Sequence, residues 1–151
     1  MYDKELEAFS EAAVGKYNLA KNTPAKFFMS AILAGFYIVV ATILSNVTAA
    51  VFYESNPSLA KFLGAFLFSL AIILIVFVGG ELFTGNNMTM AMGVYNKKCT
   101  WGQSLIVWIY SYIGNFIGAF FLGGLVVLSG SAKGILTTYY EAIVPGKLDL
   151  D

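Results

Sequence analysis

Val78-Gly79-Gly80-Glu81-Leu82-Phe83-Thr84-Gly85-Asn86-Asn87-Met88-Thr89 lies inside a long apolar segment, yet it carries glycines, a carboxylate, two amides and two hydroxyls. Treated as one helix, residues 59–95 would reach about 55 Å, against a hydrocarbon core ~30 Å thick. Something must interrupt that helix, and Gly79-Gly80 followed by a polar run is where it breaks. No water at that depth can satisfy a broken backbone, so irregular chain survives there only if it is buried in protein or lines a wet cavity. Broken helices of this kind are how many transporters and channels build a site for a small solute.

The rest of the composition agrees. Of 151 residues, 58% are hydrophobic and only 12% charged, with a mean hydropathy of +0.74; soluble domains carry about a quarter charged residues. This is an integral, all-α membrane protein. Nine basic and nine acidic residues cancel, which leaves no footprint for nucleic acid. A single cysteine, Cys99, and the absence of histidine exclude an internal disulfide and a zinc cluster, and no cofactor site or enzyme is expected. The acidic, amphipathic N-terminus does not read as a cleavable leader, and none is expected.

Outward from the break, residues 1–26 read as a cytoplasmic amphipathic segment, helical over 6–20, with Leu6, Phe9, Ala13 and Val14 on its apolar face. Thr23 and Pro24 suggest a cap and first position for the next helix. The first span covers 27–52, where Ala31 and Gly35 form a small-xxx-small pair. Thr42, Ser45, Asn46 and Thr48 crowd its far end, either bonding their own helix or lining a pore. A loop follows, with Ser58 as candidate cap. The broken second span covers 59–95, its half-helix starting near Met88; the third covers 101–129, and 130–151 is a mixed outer segment with a Pro145-Gly146 turn. Lys16, Lys21, Lys26, Lys97 and Lys98 place the N-terminus in the cytoplasm.

A half-helix beginning at residues 87–89 would expose unpaired N–H groups and a partial positive charge, which attract small anions. Leu82 and Phe83 could form a narrow gate, with Thr84, Asn86 and Asn87 facing solute; the alternative is that Thr84 and the asparagines only cap helix ends. Glu81 would repel an anion and so reads as scaffold with Gly79, Gly80 and Gly85, accepting loop amides or staying protonated. In Gly114-Asn115-Phe116-Ile117-Gly118 the glycines stand at helix-packing spacing, and Asn115 can donate to carbonyls freed at the break. Met88, Met90 and Met92 do not share one helix face and are not a metal site.

Val76-Phe77-Val78-Gly79-Gly80-Glu81-Leu82-Phe83-Thr84-Gly85 resembles the N-terminal signature of the formate/nitrite transporter family, and residues 108–118 and Ala34-Gly35 are similar to helices of that family. The run Asn86-Asn87-Met88 is similar to its hydrosulfide-channel branch. The resemblance implies an aquaporin-like bundle of six spans in two inverted halves, assembled as a homopentamer in the inner membrane of a prokaryote. It places Leu82 at the cytoplasmic constriction, Thr84 in the loop of the broken helix, and Lys16 and Lys147 at the inner and outer vestibules. The chain holds three of those six spans and lacks the second half with its central histidine, which is expected in the working protein. The implied function is a channel for small monovalent anions of weak acids: hydrosulfide first, then formate, then nitrite. A neutral-solute pore would carry paired Asn-Pro-Ala motifs, absent here. A non-transporting membrane subunit is the remaining alternative.

Overall fold

The computed structural model describes residues 3–131 and 133–148. Along the chain these form α1 (Asp3–Asn22), α2 (Pro24–Tyr53), α3 (Pro57–Phe68), α4 (Leu70–Leu74), a π-helical turn (Ile75–Gly79), α5 (Phe83–Tyr95), α6 (Trp101–Leu128), α7 (Ile135–Ile143) and α8 (Pro145–Leu148). The fold is all-helical, and three helical stretches are long and apolar enough to cross a membrane: Pro24–Tyr53, Pro57–Gly79 and Trp101–Leu128.

α2 is the axis on which the others pack, most extensively with α6 and then with α3. Its buried residues are small: Ala31, Ala34, Gly35, Ala41, Ser45 and Ala49, besides Phe27. α6 answers with Ser104, Ser111, Gly114 and Gly118. A Cβ on Gly35 would overlap the Asn115 carbonyl oxygen, and one on Gly118 would overlap that of Ile32. Lipid tails are as apolar as leucine, so helices in a bilayer are held by close backbone approach rather than by burying oil. The large side chains accordingly point outward, Phe77 and Phe120 being 84% and 74% exposed.

The same rule refines the reading of α1. Of its expected apolar face Ala13 is buried and Leu6 and Val14 are half-buried, whereas Phe9 is exposed, and Ser10 and Ala20 complete the buried set. Small residues let it lie against the end of α5, where Gly93 leaves no room for a Cβ beside Ala13. The Ser10 hydroxyl donates to the Leu6 carbonyl and accepts from Asn96 Nδ2 at 2.7 Å.

Local caps differ from expectation for local reasons. Thr23 holds the N-cap position of α2 with Pro24 at the first helical position, as expected, but its hydroxyl donates back to the Leu19 carbonyl of α1 instead of accepting a helix amide. Asn56, not Ser58, caps α3, its Oδ1 accepting from Leu59 N at 3.0 Å with Pro57 at the first position. α6 starts on a reciprocal capping box between Thr100 and Gln103. Pro145-Gly146 opens α8 instead of turning, because proline suits a first helical position. At the far end of α2, Thr42 bonds its own helix at Ile38, but Ser45 donates across to the Gly64 carbonyl and Asn46 to Tyr140 Oη, each at 2.7 Å.

Gly118→Ala in the complete protein is expected to cost roughly 1–3 kcal/mol, since backbone must move to admit the methyl. Gly123, which has no atom within 4 Å of an added Cβ, is the control: Gly123→Ala should leave the thermal unfolding midpoint unchanged. Equal midpoints for both variants would refute the close α2–α6 contact.

Candidate functional site

The approach to the break is already irregular. Ser69 donates its hydroxyl to the Phe66 carbonyl at 2.7 Å where α3 gives way to α4, and the arm ends in the π-turn. Such turns are uncommon and frequent at functional positions. Gly79 adopts φ +100°, a conformation costly for any residue with a Cβ. Gly80 is extended and passes close to Ala34, to whose Cβ an added methyl would come within 3.2 Å.

Only Gly80, Glu81 and Leu82 are non-helical; α5 begins at Phe83, not near Met88. Each end of this short link is tied. The Glu81 amide donates to the Ser30 carbonyl at 3.2 Å. Asn115 Nδ2 donates to the Glu81 carbonyl at 2.9 Å and to the Ala31 carbonyl at 2.8 Å, while its Oδ1 accepts from the Phe83 amide at 2.8 Å. One side-chain amide thus joins α2, the link and the head of α5. The first regular bond of α5 runs from Asn86 N to the Leu82 carbonyl. That leaves the amides of Thr84 and Gly85, both exposed residues, without an intrahelical acceptor.

Leu82, Phe83 and Thr84 wall a groove of about 510 Å³ with Ile38, Phe68 and Tyr112. Phe83 stacks edge-on against Tyr112 at 5.3 Å. Thr84 and Asn115 are polar spots in an otherwise apolar wall. Asn86 stands apart: it is 1% exposed, on the same α5 face as the buried Met90, and its carbonyl accepts from Trp108 Nε1 at 3.3 Å. Its Nδ2 has no partner among the described residues. Asn87 is half-buried. Thr84, Gly85, Asn86 and Asn87 therefore occupy the first turn of a helix rather than a loop.

Sequence reading missed the partner of Glu81. Lys16 Nζ on α1 lies 2.6 Å from Glu81 Oε2, with the two side chains 25% and 12% exposed. Pairing makes a carboxylate at the break tolerable, and it engages the ammonium that the vestibule reading left free. The Lys147 side chain lies outside the described residues. Cys99 is buried, which pushes its thiol above the usual range. Among the described residues no group of His, Cys, Asp or Glu could hold a metal.

A broken span pinned by a half-buried amide, with free N–H groups beside an apolar groove, is a transporter's architecture, and the formate/nitrite transporter family profile matches residues 3–151. The chain belongs to the formate/nitrite transporter family. It is 33% identical over 143 residues to the formate channel BtFdhC of Bacillus thuringiensis, covering 94% of this chain and 54% of that protein. It is 34% identical over 111 residues to the formate channel FocA of Haemophilus influenzae, covering 74% of this chain and 39% of the other. A solved structure described as an FNT family ion channel superposes with a TM-score of 0.76 at 26% identity, over 83% of this chain and 49% of that one. The chain thus spans about half the length, or less, of these formate/nitrite transporter relatives.

Two predictions test the pinning of the break. Asn115→Ala strands the Glu81 carbonyl and the Phe83 amide and should destabilise the complete protein by roughly 2 kcal/mol or more; an unchanged unfolding midpoint would show that other groups hold the link. Lys16→Glu and Glu81→Lys should each lower the midpoint, and the double exchange should recover part of the loss; no recovery would deny the ion pair.

Proposed function

We propose that this chain forms the N-terminal half of a channel for small monovalent anions of weak acids, with formate the leading substrate. The observation that carries it is the pair of unpaired amides at the head of α5, Thr84 and Gly85, set beside the apolar groove of Leu82, Phe83 and Thr84. A helix N-terminus offers donors and partial positive charge to an anion, while the groove walls disfavour a bare, strongly hydrated ion. Weak-acid anions suit both, because protonation removes the charge where the walls are driest.

Two relatives named as formate channels favour formate over hydrosulfide. The hydrosulfide reading rested on Asn86-Asn87-Met88, and Asn86 is buried against α6. Hydrosulfide and nitrite remain the next substrates to test. In this reading Leu82 and Phe83 make the constriction and Thr84 the polar contact. Asn87 stays a candidate contact. Gly79, Gly80, Glu81, Gly85 and Asn115 shape and hold the break, and Lys147 serves the outer vestibule. Lys16 acts first as the partner of Glu81.

The working unit is proposed as six spans in a homopentamer, with the N-terminus cytoplasmic in a prokaryotic inner membrane. Supporting that side, Asn96 Nδ2 bonds Ser10 and Leu6 of α1, so the Lys97-Lys98 corner and the lysine-bearing α1 lie at one end.

Flux in proteoliposomes of the complete protein is the test, with formate, hydrosulfide, nitrite, chloride and glycerol offered in parallel. Weak-acid anions should pass and glycerol should not; silence for all five would leave the subunit reading. Leu82→Val should widen the constriction and raise formate flux. Thr84→Ala should slow it roughly fivefold, the effect of about 1 kcal/mol. Unchanged flux in both variants would dismiss this groove as the path.

A further inference from the structure

Phe83 is placed awkwardly for a large side chain. Helical side chains lean back over the turn before their own. Phe83 is the first residue of α5 and has no such turn, since Gly80, Glu81 and Leu82 ahead of it are non-helical. Its ring therefore needs a wall from another element, and α6 supplies one. Tyr112 meets the ring edge-on, with centroids 5.3 Å apart and planes at 71°, an arrangement that aromatic pairs favour. Asn115 lies three residues further along the same side of α6, and its Oδ1 accepts from the Phe83 amide at 2.8 Å. One stretch of α6 thus grips Phe83 by backbone and by ring, and all three residues line the groove of about 510 Å³.

We propose that Tyr112 is a positioning residue: by holding the Phe83 ring it sets the width of the groove, and with it the largest carboxylate that can pass, which rests on the channel reading above. The opposite wall is made by Ile38 of α2, Phe68 of α3 and Ile72 of α4. Freed of Tyr112, the Phe83 ring can change its χ1 rotamer and open the space between the walls. The Phe83 backbone stays where it is, because Asn115 still holds the amide. The contact is made by the Tyr112 ring, so its hydroxyl is dispensable. Truncation of Tyr112 also spares the fold. Its side chain is 59% exposed, and the residues that α6 buries are Ser104, Val107, Ser111, Gly114 and Gly118 instead. Formate, with no carbon beyond its carboxylate, is obstructed least by a narrow groove; acetate and propionate are obstructed more.

The test compares uptake of formate, acetate and propionate into proteoliposomes of the complete protein. Tyr112→Ala should raise the acetate-to-formate and propionate-to-formate ratios several-fold, and Tyr112→Phe should restore the native ratios. Phe83→Ala should raise them too, and the double variant should go no further, because Tyr112 acts through the Phe83 ring. Unchanged ratios in Tyr112→Ala would overturn the proposal. So would raised ratios in Tyr112→Phe, which would make the hydroxyl the working group. A double variant that multiplies the two single effects would overturn it as well, since Tyr112 would then obstruct the solute by itself. A second readout needs no transport. The fluorine resonance of para-fluorophenylalanine placed at position 83 of the detergent-solubilised complete protein should shift or broaden in Tyr112→Ala and return in Tyr112→Phe. If it does so while the unaltered protein carries no anion, the channel reading falls and the grip on Phe83 stands; a resonance indifferent to Tyr112 removes the grip.

Discussion

In a bilayer core a backbone carbonyl or amide with nothing to bond costs several kcal/mol, and the three hydrogen bonds of Asn115 prevent that cost where the second span breaks. Those bonds need Asn115 within reach of Ala31 on α2 and of the link at Glu81. Reach is provided by the glycines on either side of it. Gly114 and Gly118 bring α6 against Ala31 and Ile32 so closely that a methyl group would not fit. Small residues thus set the helix separation, the separation places the amide, and the amide starts α5 at Phe83. Only then are the Thr84 and Gly85 amides left without a partner in a preceding turn, beside the groove that Thr84 lines.

The carboxylate beside this arrangement is held from the other side. A lone Glu81 would compete with any anion for the positive end of α5, and its burial would carry a large desolvation cost. Lys16 meets both difficulties at 2.6 Å. α1, an amphipathic helix by sequence, is thereby part of the electrostatics of the break as well as a surface element.

The break itself was legible, because length and glycine content alone demand one between residues 78 and 89. Its exact extent was not. Thr84-Gly85-Asn86-Asn87 has weak helix propensity, and its helicity comes from a contact supplied 32 residues later in sequence by Asn115. The Lys16–Glu81 pair spans 65 positions and leaves no periodic trace. α1 reads with Leu6, Phe9, Ala13 and Val14 on one face because hydrophobicity usually marks the buried side; Ala13 is buried and Val14 packs on the core, but Phe9 is exposed and Ser10, outside that pattern, is buried. The π-turn was invisible for a simpler reason: Ile75-Val76-Phe77-Val78 is as apolar as any other part of the span. Asn115 was legible, since an amide between two glycines at packing distance, opposite a span that must break, has few other uses.

A π-turn holds one residue more than the α-turn it replaces. At Ile75–Gly79 that surplus residue sits between an arm packed on α2 and a link fastened at Ser30 and Asn115. A deletion elsewhere in the arm would rotate everything beyond it by about 100° and pull Glu81 and Phe83 away from their partners. A deletion within the turn can relax it to regular α-helix while both fastened ends keep their places. The turn is therefore the point at which the length of this span can change by one residue over evolutionary time, and sequence alignments of the second span should be allowed a gap there before one is placed anywhere else.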